Sequence, residues 1–371
     1  MYLKKIFLSN FKNSAEANLE FSPKINCFVG NNGVGKTNLL DAIYYLSFCK
    51  SYFNSIDSQN IKHDEAFFAI HGTYQKNGGN EDLISCLQKR GAKKQFKANK
   101  KEYDRLADHI GLFPLVMISP YDRDLINEGS DVRRKYIDGV ISQFDHMYLD
   151  DLLNYNKALA QRNALLKRFA ELRSFDAASL EIWDEQIAVL GKRIFEKRTS
   201  FIKEFTPIFQ YYFEFVSGGK EKVHISYDSQ LQSEDLSELL KSAIDKDRMI
   251  RYTSVGIHKD DLQFNIGDYP IKKFGSQGQQ KSFIIAVKLA QFEYTKNIKG
   301  FKPVLLFDDI FDKLDEDRVE QIISLVSNDN IGQVFITDTQ RQRIEKIFKT
   351  VEINHKIFEV DNGVVRISSK Q

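Results

Sequence analysis

An α/β protein, with one α/β unit split by a mainly helical insertion and no long coiled coil, is the architecture this sequence points to. Short apolar runs of strand type lie in both the N- and C-terminal parts, and a glycine-rich turn joins one of them to a helix. Between those parts lies a long stretch where apolar residues recur every three or four positions. At 371 residues the chain exceeds one typical core, so a second, inserted domain is the expected arrangement.

Residues 3–8 are extended in character, and Ile25-Asn-Cys-Phe-Val29 is a short buried strand. The glycine turn follows, then residues 38–49, where Leu39, Leu40, Ile43 and Leu46 keep helical spacing. Strands are expected at 66–74, 83–89 and 113–118, the last stopped by Pro120. Residues 132–172 and 180–212 read as helices, with apolar residues recurring at helical spacing, among them Leu152, Leu159 and Leu166 in the first and Trp183, Ile187, Leu190 and Ile194 in the second. Neither keeps a heptad array long enough for extended arms. Strands return at 223–227, 261–266, 304–307, 333–337 and 357–360, with a helix at 279–295. The expected division is therefore 1–120 plus 251–371 for the α/β unit and 121–250 for the insertion.

Composition narrows the class further. A 42% hydrophobic fraction with 29 Phe supplies a core, and 53 basic against 51 acidic residues leave a net charge of +2. Any affinity for nucleic acid must then come from local clustering of charge. The start has no apolar h-region, and no run approaches the ~18 apolar residues of a membrane span, so no membrane association is expected. Cys27, Cys49 and Cys86 are odd in number and widely spaced, which suits a reducing, cytosolic setting better than a disulfide or metal framework.

Three segments carry chemistry. The first, Gly30-Asn31-Asn32-Gly33-Val34-Gly35-Lys36-Thr37, fits the phosphate-binding pattern G-x-x-x-x-G-K-[ST] and has the strand before it and helix after it that such a loop requires. Its amides and the helix N-terminus, opened by Asn38, favour a bound triphosphate. Lys36 would reach the β- and γ-phosphates, and the Thr37 hydroxyl would ligate Mg2+. The second is the strand Val304-Leu-Leu-Phe307, ending in Asp308 and Asp309. Asp308 is the candidate second metal ligand and Asp309 the residue that orients the attacking water, although an acidic strand end also arises in ordinary solvated loops. In the third, Ser276, Gly278 and Gln279 open a helix, which suits both an N-cap and a second anion site.

The order of these segments is the signature of ABC ATPases, and over nearly its whole length the chain resembles the RecF family of bacterial DNA-repair ATPases. Leu8-Ser-Asn10-Phe11-Lys12-Asn13 is similar to that family's N-terminal strand and loop, and 155–167 to its first long insertion helix. Gly256-Ile-His258-Lys259-Asp260-Asp261 stands where the family reads G-P-H-R-D-D, and Ser276-Gln-Gly-Gln-Gln280 resembles its form of the signature. The chain departs from the family pattern at Tyr121, Asp131, Ile257, Lys259 and Asp312-Lys313, none of them a phosphate ligand.

The resemblance implies an ABC-type P-loop ATPase head that binds ATP and Mg2+. It further implies a homodimer in which Lys36 of one copy and Ser276 and Gly278 of the other enclose each triphosphate. Asp309 is one methylene shorter than the Glu of many ABC ATPases, which implies slow, switch-like hydrolysis. Double-stranded or gapped DNA and RecR are the implied partners, and recombinational repair and replication restart the implied setting. A transporter subunit would carry L-S-G-G-Q instead, and a DNA-bridging SMC protein would need long arms.

Lys89, Arg90, Lys93, Lys94, Lys97, Lys100 and Lys101 crowd around Phe96. Of these, Lys93, Lys94, Lys97, Lys100 and Lys101 are the candidate DNA contacts, reading backbone and not sequence; a hairpin kept soluble by its lysines has the same composition. His258 is expected to be a hydrogen-bonded structural histidine. Trp183, Tyr211 and Tyr212 are expected in the core, and Thr337-Asp338 lies near the position of an ABC switch residue.

Overall fold

A computed structural model of the protein describes all residues except 77, 220, 311–315, 328–329, 350–353 and 369–371. The Asp312–Asp315 segment singled out above lies outside the described residues. The chain divides into two compact units: Met1–Asp122, Phe215–Ser217 and Ile285–Gln371 form one, Arg123–Glu214 and Gly218–Ile284 the other.

The first unit holds two six-stranded sheets. In one, Ser14–Glu20, Tyr2–Phe11, Phe67–Gln75, Glu81–Lys89, Gln95–Ala98 and Lys101–Glu102 lie side by side, all antiparallel. In the other, His355–Asp361, Ile25–Val29, Val334–Asp338, Val304–Phe307 and Leu115–Ile118 run parallel, with Val364–Ile367 added antiparallel at one edge. Strands buried on both faces need apolar side chains on both, which is why 115–118 and 304–307 read as unbroken apolar runs and 25–29 as one interrupted only by Asn26. Ser14–Glu20 escapes sequence reading because its inward residues are only Ser14, Ala17 and Leu19.

The helix Lys36–Phe48 touches strands of both sheets. Phe21, Phe28, Phe335 and Phe358 pack edge to face and stacked in the core, with Phe21 and Phe335 centroids 4.8 Å apart. One buried polar side chain also joins the sheets. Gln333 accepts from the Leu3 N–H at 2.7 Å and donates to the Leu3 and Ser22 carbonyls at 2.8 Å. The three cysteines are buried and unpaired.

The second unit contains the helices Asp124–Asn127, Ser130–Ile141, His146–Leu172, Leu236–Ser242, Ile244–Ile250 and Ile271–Phe274, most of the long Ala177–Ser217 and the start of Gln277–Lys299. The apolar periodicity of 132–172 is interrupted at Asp145, whose carboxylate accepts from the Tyr148 N–H and caps a new helix. His146–Leu172 and Ala177–Ser217 lie antiparallel: Asp145 pairs with Lys197, Asp151 with Arg193 and Arg162 with Asp184. The long helix has 41 residues, and among the described residues no helix is long and apolar enough to cross a membrane.

By compactness the first unit runs to Asp122 and resumes at Ile285, so residues 251–284 group with the helices. Residues 251–284 stay with the helices for a physical reason. Asp261–Ile266 pairs antiparallel with Val223–Asp228, and Asp260 and Thr253 bond the buried arginines Arg198 and Arg162. Of the expected core aromatics, Tyr212 is buried, Trp183 is half-buried and Tyr211 is 65% exposed.

Arg198, 1% exposed, bonds Asp138, Asp260, the Tyr148 hydroxyl and the Ile257 carbonyl. Taking away a buried charge strands its partners, so Arg198→Met should destabilise the protein by about 3–5 kcal/mol, read as a lowered urea midpoint. Exchange of an exposed cation on the same helix, Lys192→Met, should leave that midpoint nearly unchanged.

Candidate nucleotide site

The strand Ile25–Val29 lies in the interior of the parallel sheet and delivers the chain into the loop at Gly30. Gly33 at φ 80° and Gly35 at φ 111° adopt left-handed conformations that side chains resist, and Gly35 is the N-cap of the helix that follows. Asn31, Asn32 and Gly33 form the exposed tip, while Val34 and Lys36 are buried. The Lys36 ammonium donates to the Gly30 and Asn31 carbonyls, both at 2.8 Å. Burial lowers its pKa, against the attraction of Asp309, Asp308 and Asp338, which are thereby placed around the same loop.

The acidic strand end meets this loop. The Thr37 hydroxyl donates to Asp308 Oδ1 at 2.8 Å, and the Thr337 hydroxyl donates to the same oxygen at 2.9 Å. Burial raises the Asp308 pKa, and the two hydroxyl hydrogen bonds oppose that shift. Thr337 also accepts the Asp309 N–H at 2.8 Å, with Asp309 in the left-handed region at φ 48°. Parallel pairing places 304–307 beside 334–338 and 334–338 beside 25–29, which gathers these strand ends. Thr37 and Asp308 are hard oxygen donors in hydrogen-bond contact, a pair that fits Mg2+, which takes few protein ligands and keeps several waters.

Two residues of this site were not singled out from the sequence. Thr337, read only as a neighbour of a switch position, is the link between the two aspartates. Asn13 donates to the Val34 carbonyl at 3.0 Å and accepts from Asn38 Nδ2 at 2.7 Å. Its only sequence signal was membership of the Asn10-Phe-Lys-Asn13 segment. Asp338 is 1% exposed; its Oδ1 accepts from Arg343 at 2.8 Å and from the Gln340 N–H at 2.6 Å.

Ser276 caps the helix Gln277–Lys299 with a reciprocal pair. Its hydroxyl accepts from the Gln279 N–H at 3.2 Å, and Gln279 Oε1 accepts from the Ser276 N–H at 2.6 Å. Gln279 Nε2 donates to Glu221 at 2.6 Å. Ser276 is exposed, Gly278 is half-buried, and both belong to the second unit.

The basic hairpin is less uniform than its sequence. Lys94 must be removed from the candidate DNA contacts: its ammonium is bound to Asp57 at 2.7 Å, the Cys49 carbonyl at 2.6 Å and the Tyr45 hydroxyl at 3.1 Å. Lys97 pairs with Glu102 at 3.7 Å, and Phe96 is buried core. Alternation along Gln95–Ala98 sends Phe96 inward, and the core anchors this hairpin through it. Lys93, Lys100 and Lys101 remain exposed, with Lys89 and Arg90 beside them.

His258 is structural. Its Nε2 donates to the Thr253 carbonyl at 3.1 Å, which leaves Nδ1 to accept from the Tyr155 hydroxyl at 2.9 Å. Burial lowers its pKa to about 4. The unfolded chain takes up this proton near pH ~6.5, whereas the native state refuses it until about pH 4. The contribution of His258 to stability is therefore full above the unfolded value and declines as pH falls through that window, by up to about 3 kcal/mol. Against His258→Gln, the stability advantage of the native residue should shrink from pH 7.5 to 4.5 in chemical denaturation; an advantage independent of pH would contradict a neutral buried imidazole.

Residues 2–365 match the RecF/RecN/SMC N terminal domain family. The chain is 54% identical over 366 residues to the DNA replication and repair protein RecF of Phocaeicola vulgatus, covering 98% of each chain. It is 55% identical over 358 residues to that of Flavobacterium johnsoniae, covering 96% of this chain and 99% of the relative. A solved structure of the recombination mediator protein RecF with ATP, in the RecFOR pathway, superposes with a TM-score of 0.90 at 32% identity, covering 99% of this chain and 98% of that one. The Smc head domain of Pyrococcus furiosus shares the fold at a TM-score of 0.58 and 18% identity, with 99% and 96% covered.

Proposed function

The chain belongs to the RecF family of DNA replication and repair ATPases, and from that premise we propose that ATP and Mg2+ close two copies of it on double-stranded or gapped DNA, with slow hydrolysis releasing them. The observation that carries this reading is the bond between the P-loop hydroxyl of Thr37 and the buried carboxylate of Asp308. It supports the reading by joining two oxygen ligands suited to a metal beside the glycine loop, and a RecF solved with ATP has the same fold over 99% of this chain.

Each residue has a task that its surroundings support. Residues 30–38 wrap phosphate oxygens with backbone amides, and Lys36 neutralises the β- and γ-phosphates. Thr37 and Asp308 would hold Mg2+, which would supply positive charge against the phosphates. Asp309 orients the attacking water; its short side chain and its backbone, tied to Thr337, limit how closely it follows the reaction. The cap at Ser276 uses the acceptor side of the hydroxyl, so the O–H proton is available to a γ-phosphate of the second copy.

RecR is the proposed protein partner, from the pathway in which the similar RecF works. The transporter and DNA-bridging alternatives fare worse, because the repair proteins match over the full length and the longest described helix has 41 residues.

Light scattering with and without ATP and Mg2+ tests the reading. The wild type and Asp309→Asn should dimerise on ATP, while Lys36→Ala and Ser276→Arg should stay single. A wild type that hydrolyses ATP at saturation yet stays single sinks the proposal. For DNA, Lys93, Lys100 and Lys101 changed together to Gln should lower the slope of log K against log salt by about 2–3, at ~0.9 per phosphate contact. An unchanged slope would place the DNA elsewhere.

A further inference from the structure

We propose that Asn13 is a positioning residue for the phosphate loop and that, with the C-terminal hairpin, it sets the loop's shape from outside the motif. The inference rests on reading residues 30–38 as the nucleotide loop and adds a residue that the loop's own pattern does not contain.

The tip of that loop is exposed from Asn31 to Gly33, so its own side chains give it little to pack against. Its shape is held at the Val34 carbonyl. That oxygen accepts two hydrogen bonds, one from Asn13 Nδ2 at 3.0 Å and one from the Gly363 N–H at 2.9 Å, which engages both of its lone pairs. A trans peptide is planar, so fixing the C=O of Val34 turns the N–H of Gly35 the opposite way, off the brace and toward the loop's inner side. Gly35 N–H is one of the amides a phosphate would meet at the helix N-terminus.

Asn13 reaches the helix as well. Its Oδ1 accepts from Asn38 Nδ2 at 2.7 Å, so one side chain ties the loop to the first turn. The approach leaves no room for a side chain on the loop: a Cβ at Gly35 would stand 2.5 Å from Asn13 Nδ2. The C-terminal hairpin is equally close, since a Cβ at Gly363, which has φ 81°, would stand 2.4 Å from the Asn13 carbonyl oxygen.

Asn13 itself is anchored. It sits at the tip of the hairpin Tyr2–Phe11/Ser14–Glu20, where Phe11 faces Ser14. Beside it, Lys12 pairs with the buried Asp41 of the same helix at 2.5 Å and donates its N–H to the Asn60 carbonyl at 2.8 Å. The hairpin tip thus meets the helix at two points, and Asn13 carries that rigidity to the loop.

The test measures affinity for a fluorescent N-methylanthraniloyl ATP in wild type, Lys36→Ala, Asn13→Ala, Asn38→Ala and the Asn13→Ala/Asn38→Ala double variant, with melting temperature as the check on folding. Asn13→Ala should weaken binding about tenfold, and the double variant should lose little more than Asn13→Ala alone, because the two residues act as one unit. Asn13→Asp keeps size and acceptor but loses the donor to Val34; it should bind as weakly as the alanine variant and serves if that variant does not fold. A folded Asn13 variant that binds within twofold of wild type, or a double variant whose losses simply multiply, would overturn the proposal. If Lys36→Ala also bound normally, the nucleotide loop reading itself would fall; if Lys36→Ala lost binding while Asn13→Ala kept it, only the brace would.

Discussion

A single carboxylate oxygen, Asp308 Oδ1, accepts hydroxyls from two directions, Thr37 on the P-loop helix and Thr337 on the neighbouring strand. Both are short and stiff side chains, so the bonds form only if the strand ends and the helix start are held within a few ångströms of each other. Five parallel strands in register do that. The sheet is buried on both faces, and a slip by one residue would bring Asp308 or Thr337 out of reach. The geometry on which phosphate chemistry depends is therefore a consequence of strand pairing between segments about 30 and 270 residues from one another in sequence, as the loops between Asp308, Thr337 and Thr37 make plain.

The antiparallel sheet adds a second constraint. Its first hairpin turns at Asn13, and Gln333 ties its first strand to the parallel sheet through two buried hydrogen bonds to Leu3. The helix Lys36–Phe48 is in contact with both sheets. A phosphate loop is a short exposed turn with little intrinsic stability, and its shape is dictated by what surrounds it. Here the surroundings are the N-terminal hairpin on one side and the C-terminal hairpin on the other.

The second unit solves a different problem. Its long helices carry many cations. Four of them meet carboxylates of this unit: Arg162 with Asp184 and Asp247, Arg193 with Asp151, Lys197 with Asp145, Arg198 with Asp138 and Asp260. The buried members add less net stability than their contacts suggest, since desolvation offsets much of the attraction. The same caution applies to Lys94, a surface lysine in sequence and a structural tie in three dimensions.

From the sequence alone came the glycine loop, Lys36, Thr37, the paired aspartates at a strand end, the signature segment and the split α/β architecture. Each depends on local pattern, that is, on the φ angles glycine permits, on the apolar run a doubly buried strand requires and on helical spacing. The tertiary structure decided what those patterns touch. It chose which cations face solvent and which pair, moved residues 251–284 into the helical unit, and brought in Thr337 and Asn13, whose roles exist only through partners far along the chain. Hydrogen bonding and ion pairing act through space over about 3 Å, and a short motif in a sequence carries no record of which distant residue will close that gap.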